Sequence, residues 1–527
     1  MRCRGRMRFR SWRPPGEGMQ RRDFLKTIAA SVSTLTQAAQ TSQAKLPNIV
    51  FILADDIGYG DVRCFHPESK IPTPNIDRMA QEGIRFTDAH SPSGVCSPTR
   101  YGVLTGRYAW RTWLKRSVLM AYSPAMIEKE RLTVAGLLKQ QGYRTAAVGK
   151  WHVGMTFTKA NGQPVTHSDG MIREGNQIDF TKPIADGPVD RGFDYFFGNT
   201  ACPTTDYLYS FIENRATVGM PTIEEPGGEY DKGQPMTEYR SGLRSPGFDL
   251  ETVDLTLKEK SVRFMEEHTK QHPRQPFFLY HAMSAAHMPI LPAKQFRGKS
   301  RVGLYGDFVM ECDWVVGELV KTVERLGLGE NTLIIFTSDN GPEICVREVR
   351  QEFGHNASGK LRGLKRDNWE GGHRVPFVAR WTGKIPKGAT STETLCLTDF
   401  MATAAAASGA NLPANAAEDS YNMLPALLGK KAKQPIREAT VHHSFDGSFA
   451  IRQGDWKLLL HQGAGNGNYT KVAPDPPISE PGTPGQLYNL KTDPRENSNL
   501  YRKHPEIVAQ LSSLLKKYQD ERRSTKR

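Results

Sequence analysis

A short apolar run that stops abruptly at charged or amide side chains, then gives way to a helical pattern, recurs along this chain and limits what it can fold into. Asn48-Ile-Val-Phe-Ile-Leu53 runs into Asp55-Asp56, and Arg144-Thr-Ala-Ala-Val148 into Lys150-Trp151-His152. Phe277-Phe-Leu-Tyr280 leads to His281 and His287, and Thr332-Leu-Ile-Ile-Phe-Thr337 to Ser338-Asp339-Asn340-Gly341. Val375-Pro-Phe-Val378 reads as a fifth strand. Runs this apolar belong to strands buried on both sides, which predicts an α/β fold: a large domain whose mainly parallel central sheet is covered by helices. Helical periodicity over 130–141 (closed by Gly142), 250–268 and 304–326 supplies the cover. Ligands in such sheets bind beyond the carboxyl ends of the strands, so the polar ends are where chemistry collects.

Residues 155–245, rich in Gly, Pro and Asp, read as an insertion with little regular structure. An Ala-rich helix follows Asp399, then a polar linker over 429–435. Short antiparallel strands are expected at 448–452, 457–460 and 486–488, and Pro505 opens a final helix with Ile507, Val508, Leu511, Leu514, Leu515 and Tyr518 on one face. The expected organisation is an export signal over 1–44, a catalytic domain over 45–430, and a smaller C-terminal α+β subdomain with an antiparallel sheet over 431–527.

The 527 residues carry a formal net charge of +14, which raises the question of a polyanionic partner. Its location answers in part. Residues 1–44 hold nine Arg or Lys against two acids, and 511–527 hold six against two, which leaves the body only mildly basic and without a nucleic-acid-binding motif. Arg21-Arg22-Asp23-Phe24-Leu25-Lys26, followed by an uncharged Ala/Ser/Thr-rich stretch to Ala44, is a twin-arginine pattern; it predicts export to the periplasm or beyond through the twin-arginine machinery. That stretch is too weakly apolar to anchor in a bilayer, and nowhere do about twenty apolar residues run together, so no membrane span is expected. Seven cysteines without a Cys-x-x-Cys pair are neither a disulfide scaffold nor a zinc knuckle.

Asp55, Asp56, Asp339 and Asn340 make a set of hard oxygen donors suited to Ca²⁺ or Mg²⁺ rather than zinc. An Asp-Asp after one strand is ordinarily a turn and helix cap; the same chemistry after two strands favours a metal. Cys96-Ser97-Pro98-Thr99-Arg100 would open a helix, with Cys96 at its positive end and Arg100 one turn along. A thiol there is either an activated nucleophile or a buried structural cysteine.

Cys96-x-Pro98-x-Arg100 followed by Leu104-Thr-Gly-Arg107 resembles the formylglycine-dependent type I sulfatases of the alkaline-phosphatase-like superfamily. The likeness runs from Pro47 to about Lys457 and includes Leu53-Ala-Asp-Asp-Ile-Gly-Tyr-Gly-Asp61, Gly142 to His152, Thr337-Ser-Asp-Asn-Gly341 and Trp369-Glu-Gly-Gly-His-Arg-Val-Pro376. The resemblance implies that Cys96 is oxidised to formylglycine by a sulfatase-maturing enzyme, and that its gem-diol attacks the sulfur of a sulfate ester. It implies Ca²⁺, with Mg²⁺ as the alternative, held by Asp55, Asp56, Asp339, Asn340 and the residue made from Cys96. Arg100 would then hold the gem-diol, Lys150 and Lys365 the sulfate oxygens, His152 the proton of the second hydroxyl, and His287 the leaving alcohol. Lys365 rather than Lys360 fits, five residues before Glu370. Asp206, Tyr207, His355 and Asn356 are candidate substrate-binding groups, with His442, His443 and Asp446 beside them. The expected substrate is a sulfated carbohydrate or aryl sulfate; the rivals are a phosphate or phosphonate monoester hydrolase of the same superfamily, and an unmodified glycan-binding pseudoenzyme.

Overall fold

The computed structural model describes residues 46–234, 236–467 and 479–526. The expected export signal lies outside them. β1 (Asn48–Ala54) is central to a sheet whose other strands are β2 (Ile84–Phe86), β3 (Arg144–Lys150), β4 (Tyr195–Asn199), β5 (Ile212–Glu213), β6 (Ala216–Thr217), β7 (Phe277–Ala282), β8 (Thr332–Ser338), β9 (Phe377–Arg380) and β10 (Ala389–Ser391). Their spatial order is β10-β2-β9-β8-β1-β7-β3-β4-β5-β6. The central run β8-β1-β7-β3-β4 is wholly parallel, and antiparallel pairs begin at β9 on one side and β5 on the other.

Helices α1 (Pro74–Gln81), α2 (Cys96–Thr105), α3 (Val134–Gln140), α4 (Val253–Gln271), α5 (Gly303–Arg325), α6 (Phe400–Ser408) and α7 (Pro505–Asp520) complete the packing. Alternate side chains of β1 point to opposite faces. Ile49, Phe51 and Leu53 join a core with Val103 and Leu104 of α2, Leu137 of α3 and Met401 of α6. Val50, Ile52 and Ala54 join a second with Met79 of α1, Leu257 of α4 and Leu319 of α5. All six are fully buried, at roughly 1.5–3 kcal/mol for each of the larger ones. The doubly covered sheet is as expected.

Several boundaries moved for identifiable reasons. α3 begins at Val134 because Thr133 Oγ1 accepts from Gly136 N at 3.0 Å and fixes the cap. β9 starts after Pro376, which has no N–H to give a ladder. The 155–245 insertion corrects the expectation most: it holds β4, which extends the parallel sheet beside β3, and the β5–β6 pair. Tyr195-Phe-Phe is too brief a run to stand out among glycines and aspartates; β3 supplies the ladder that makes it a strand.

The C-terminal sheet is β11 (Thr440–His443), β12 (Phe449–Gln453), β13 (Trp456–Leu459) and β14 (Gln486–Asn489), antiparallel and paired in that order. β11 escaped the sequence reading because His442 and His443 are not strand-like, yet both are buried. One face packs Val441, Ile451, Leu458 and Leu487 against Leu511, Leu515 and Tyr518 of α7, and also against Tyr108 and Trp110. Its other face packs Ala450, Leu459 and Tyr488 on Trp369, four residues beyond Lys365. Among the described residues no helix is long and apolar enough to cross a membrane.

Register brings the strand ends level. Leu53 pairs with both Thr337 and Ala282, Ala282 with Gly149, and Gly149 with Gly198. Gly149 has φ +117°, and a Cβ there would lie 1.8 Å from the Ala282 carbonyl oxygen. Gly149→Ala is therefore expected to destabilise the fold by about 3 kcal/mol or more, through backbone displacement in a central strand. The urea midpoint measures this; an unchanged midpoint would refute the close approach.

Candidate active site

β1 delivers Asp55 and Asp56, and β8 delivers Asp339 and Asn340, because Ala54 and Ser338 are register partners. All four side chains are fully buried. Asp56 N donates to Asp339 Oδ1 (3.3 Å) and Asn340 Nδ2 donates to Asp56 Oδ1 (2.6 Å). Asp55 Oδ1 and Asn340 Oδ1 are buried with no hydrogen-bond partner. A buried carboxylate or amide oxygen left unpaired costs about 1–3 kcal/mol, so both oxygens call for a positive ligand.

Cys96 opens α2, every residue of which is buried, after Val95 in extended conformation. The Cys96 thiol and carboxylate oxygens of Asp55 and Asp339 lie within 4.8 Å of one another. Arg100, one turn on, donates from Nε and Nη2 to Asp339 Oδ2 (3.0 and 2.8 Å) and from Nη1 to the Lys150 carbonyl (2.8 Å). Lys150 Nζ donates to Asp55 Oδ2 at 2.5 Å, and Lys365 Nζ to Asp56 Oδ2 at 2.7 Å.

The two histidines have defined tautomers. His152 Nε2 donates to the Leu119 carbonyl (2.7 Å), which leaves Nδ1 as a buried lone pair without a partner. His287 Nδ1 donates to the Met288 carbonyl (2.5 Å), leaving Nε2 turned to the cluster, 3.9 Å from Asp56 Oδ2 and 3.5 Å from Cys202 Sγ. A carbonyl can only accept, so each ring keeps its proton on the far nitrogen and offers the near one.

Burial works to raise the Asp55 carboxyl, but Lys150, His287 and Arg100 outweigh it and bring it down to about 2. Asp56 is raised well above the usual range, by burial and then by its acidic neighbours, against the pull of Lys365. Burial and Asp55 lift Asp339 to about 7 despite Arg100. Burial and Lys365 push His287 down to about 3. Crowded carboxylates of this kind must take up protons or a metal ion. Three carboxylates, one amide and two orphaned oxygens fit a hard divalent cation.

Cys96, Arg100, Lys150, His152, His287, Lys365 and the four oxygen donors thus come together from six separated segments. Asp206 is buried, with Oδ1 accepting from Arg240 Nη1 at 2.8 Å, and Tyr207 lies under that guanidinium. His355 and Asn356, the other two candidate substrate groups, each have a partner within the fold. His355 Nε2 is engaged by Asp61 Oδ1 at 2.8 Å, and Asn356 Nδ2 by the Gly359 carbonyl. His281 is a packed strand residue on Ser261 Oγ (2.8 Å). His442 Nδ1 is on the Ser91 carbonyl, His443 Nε2 on that of Lys115, and Asp446 Oδ1 accepts from Ser444 Oγ and Ser448 N. Two participants were missed: Cys202, beside His287, and Glu343, which accepts from Lys365 Nζ (3.3 Å) and Arg366 Nη2 (2.9 Å). Nothing in local spacing marks either.

Lysine, arginine, histidine and carboxylate side chains thus gather around a helix-opening cysteine at the ends of parallel strands, a set suited to holding an anion and a cation together. The sequence profile of the sulfatase family matches residues 47–410, and the chain belongs to that family. It is 34% identical to an N-acetylgalactosamine-6-O-sulfatase of Bacteroides thetaiotaomicron over 504 residues, covering 89% of this chain and 92% of that one. It is also 34% identical to human arylsulfatase A over 513 residues, covering 91% and 89%. A solved Bacteroides thetaiotaomicron structure, described under the metabolism of multiple glycosaminoglycans, superposes with TM-score 0.75 at 32% identity, over 90% of this chain and 99% of that one. A Pseudoalteromonas sulfatase structure does so with TM-score 0.69 at 26% identity, over 94% and 93%.

Protein stripped with a chelator is expected to melt below protein held in excess Ca²⁺, by an amount equivalent to about 2.7 kcal/mol at a hundredfold excess over Kd. Asp55→Ala should abolish the difference; equal melting of the stripped and loaded wild type would refute the site. Arg100→Ala should cost roughly 3–5 kcal/mol in denaturant unfolding, since it leaves Asp339 buried without its cation.

Proposed function

We propose that this protein hydrolyses sulfate monoesters of carbohydrates, with a formylglycine made from Cys96 by a maturation enzyme. The observation that carries the reading is the Cys96 thiol at the head of a buried helix, clustered with Asp55 and Asp339 and flanked by Lys150, Lys365, His152 with an unpartnered Nδ1, and His287 with Nε2 beside the Cys202 thiol. When present, a divalent cation held by Asp55, Asp56, Asp339 and Asn340 supplies charge against sulfate, and the hydrated aldehyde at position 96 supplies the nucleophilic hydroxyl. Ca²⁺ suits this irregular carboxylate set better than Mg²⁺, which demands near-ideal octahedral geometry.

The chain's own residues do the remaining work. Lys150, tethered by Asp55, and Lys365, tethered by Asp56 and Glu343, present ammonium groups where sulfate oxygens gain charge. Arg100 holds Asp339 and the Lys150 backbone in place. His152 Nδ1 is the open base for a proton at position 96. His287 Nε2 faces the same cluster, and a protonated Nε2 would serve the leaving oxygen. The name of the galactosamine sulfatase relative and the glycosaminoglycan context of the superposed structure support a carbohydrate ester. The Arg21-Arg22 pattern supports export after maturation in the cytoplasm.

Cys96→Ala is expected to abolish sulfate release while the melting temperature stays within a few degrees, and peptide mass analysis of mature protein should find an aldehyde in place of the thiol. Thiol alone, or retained turnover, would overturn the reading, as would faster turnover of a matched aryl phosphate than of the aryl sulfate. His287→Ala should slow release from a sugar sulfate by about 10²–10⁴. The loss should be smaller for an aryl sulfate with a good leaving group, which needs less help from an acid.

A further inference from the structure

The loop over 112–120 is wedged between the parts of the fold that carry the site. Leu119 accepts from His152 Nε2 through its carbonyl and donates through its N–H to Ser97 Oγ (3.0 Å), next to Cys96. On its other side Lys115 O accepts from His443 Nε2 (2.8 Å), and Ser117 N donates to the Phe445 carbonyl (2.7 Å). Phe445 N in turn donates to the Arg366 carbonyl (3.4 Å), one residue beyond Lys365.

Trp113 is 40% exposed, and its indole lies against the exposed imidazole of His167, ring centroids 3.9 Å apart. His167 comes from the 155–245 insertion, so two segments distant in sequence build one aromatic surface. Arg116 is exposed, three residues along, and makes no hydrogen bond or ion pair among the described residues. Arg240 stands over the same loop, Nη1 being 3.7 Å from Met120 Sδ, with its side chain 41% exposed. A single exposed tryptophan is ordinary. A tryptophan braced by a second ring, with an exposed guanidinium three residues along, on the loop that orients His152, has the chemistry to hold a ligand.

We infer that Trp113, His167 and Arg116 form a subsite for a neighbouring saccharide of an anionic glycan chain, so that the enzyme acts on an oligosaccharide rather than on an isolated sugar. The inference rests on the sulfate-ester reading above. The C–H face of a pyranose is apolar and stacks on an indole; a carboxylate or sulfate on the same ring pairs with a planar guanidinium. The six Cα steps from Trp113 to Leu119 span at most about 20 Å, which keeps the subsite within a few sugar rings of Cys96. Arg116 and the half-exposed Arg240 supply positive charge that suits a polyanionic chain.

The test uses matured enzyme and its Trp113→Ala and Arg116→Ala variants, on 4-nitrophenyl sulfate and on a sulfated N-acetylgalactosamine–uronate tetrasaccharide. Aryl sulfate turnover should stay within about twofold, while kcat/KM on the tetrasaccharide falls about tenfold or more, chiefly through KM, equivalent to about 1.4 kcal/mol of binding. Arg116→Lys should recover part of the loss. Equal effects on both substrates, or none on the tetrasaccharide, would overturn the subsite. Tetrasaccharide binding to the unmatured protein, measured by calorimetry, separates this from failure of the sulfatase reading. If wild type releases no sulfate, binding that Trp113→Ala weakens still supports the subsite, and absence of binding to wild type overturns it.

Discussion

The site depends on one buried charge lattice: Lys150 on Asp55, Arg100 on Asp339, and Lys365 on Asp56. None of these groups could be buried alone, since an isolated ion in the interior costs several kcal/mol even after relaxation. Each cation therefore fixes the carboxylate it neutralises, and the carboxylates fix the position of the cations. What remains unbalanced is local: Asp55 Oδ1, Asn340 Oδ1 and His152 Nδ1 have no partner. Unpaired acceptor atoms gathered in one charged cluster mark where ligand and chemistry belong.

A second lattice makes the C-terminal sheet part of that arrangement. Lys457 Nζ on β13 lies 3.0 Å from Glu370 Oε1 and 2.9 Å from Glu496 Oε1, while Glu370 also pairs with Arg374. Trp369 Nε1 donates to Gln486 Oε1 of β14 (3.2 Å), and Trp369 itself packs on Leu459 and Tyr488. The loop bearing Lys365 is thus clamped from the tail. His90, His373 and His442 fill the seam as a stacked, hydrogen-bonded group, and burial drives all three toward the neutral form. With Lys457 3.0 Å from His373 Nε2 and Arg452 3.0 Å from His90 Nε2, this cluster is a packed interface already supplied with cations.

Much of this is legible in the sequence. β1, β3, β7 and β8 are strong apolar runs whose partners lie on either side of them, so pattern and fold agree. The residues that follow them are polar for a reason the strands themselves provide. β4 and β11 were invisible because their stability comes from a neighbouring ladder and from burial that no local window contains. The partner of His355 was hidden for the same kind of reason: Asp61, far away in sequence, engages its Nε2 within the fold.

By itself the sequence determined which side chains end each strand, that Cys96 opens a helix with Arg100 one turn on, and that the charge excess lies at the termini. Those properties follow from local periodicity and covalent order. Only the tertiary structure decided which oxygens are left unpaired, which nitrogen each histidine offers, that Cys202 and Glu343 join the cluster, and that the tail clamps the Lys365 loop. Each of these depends on contacts between residues tens to hundreds of positions apart, where register and burial, rather than neighbouring residues, set the partner.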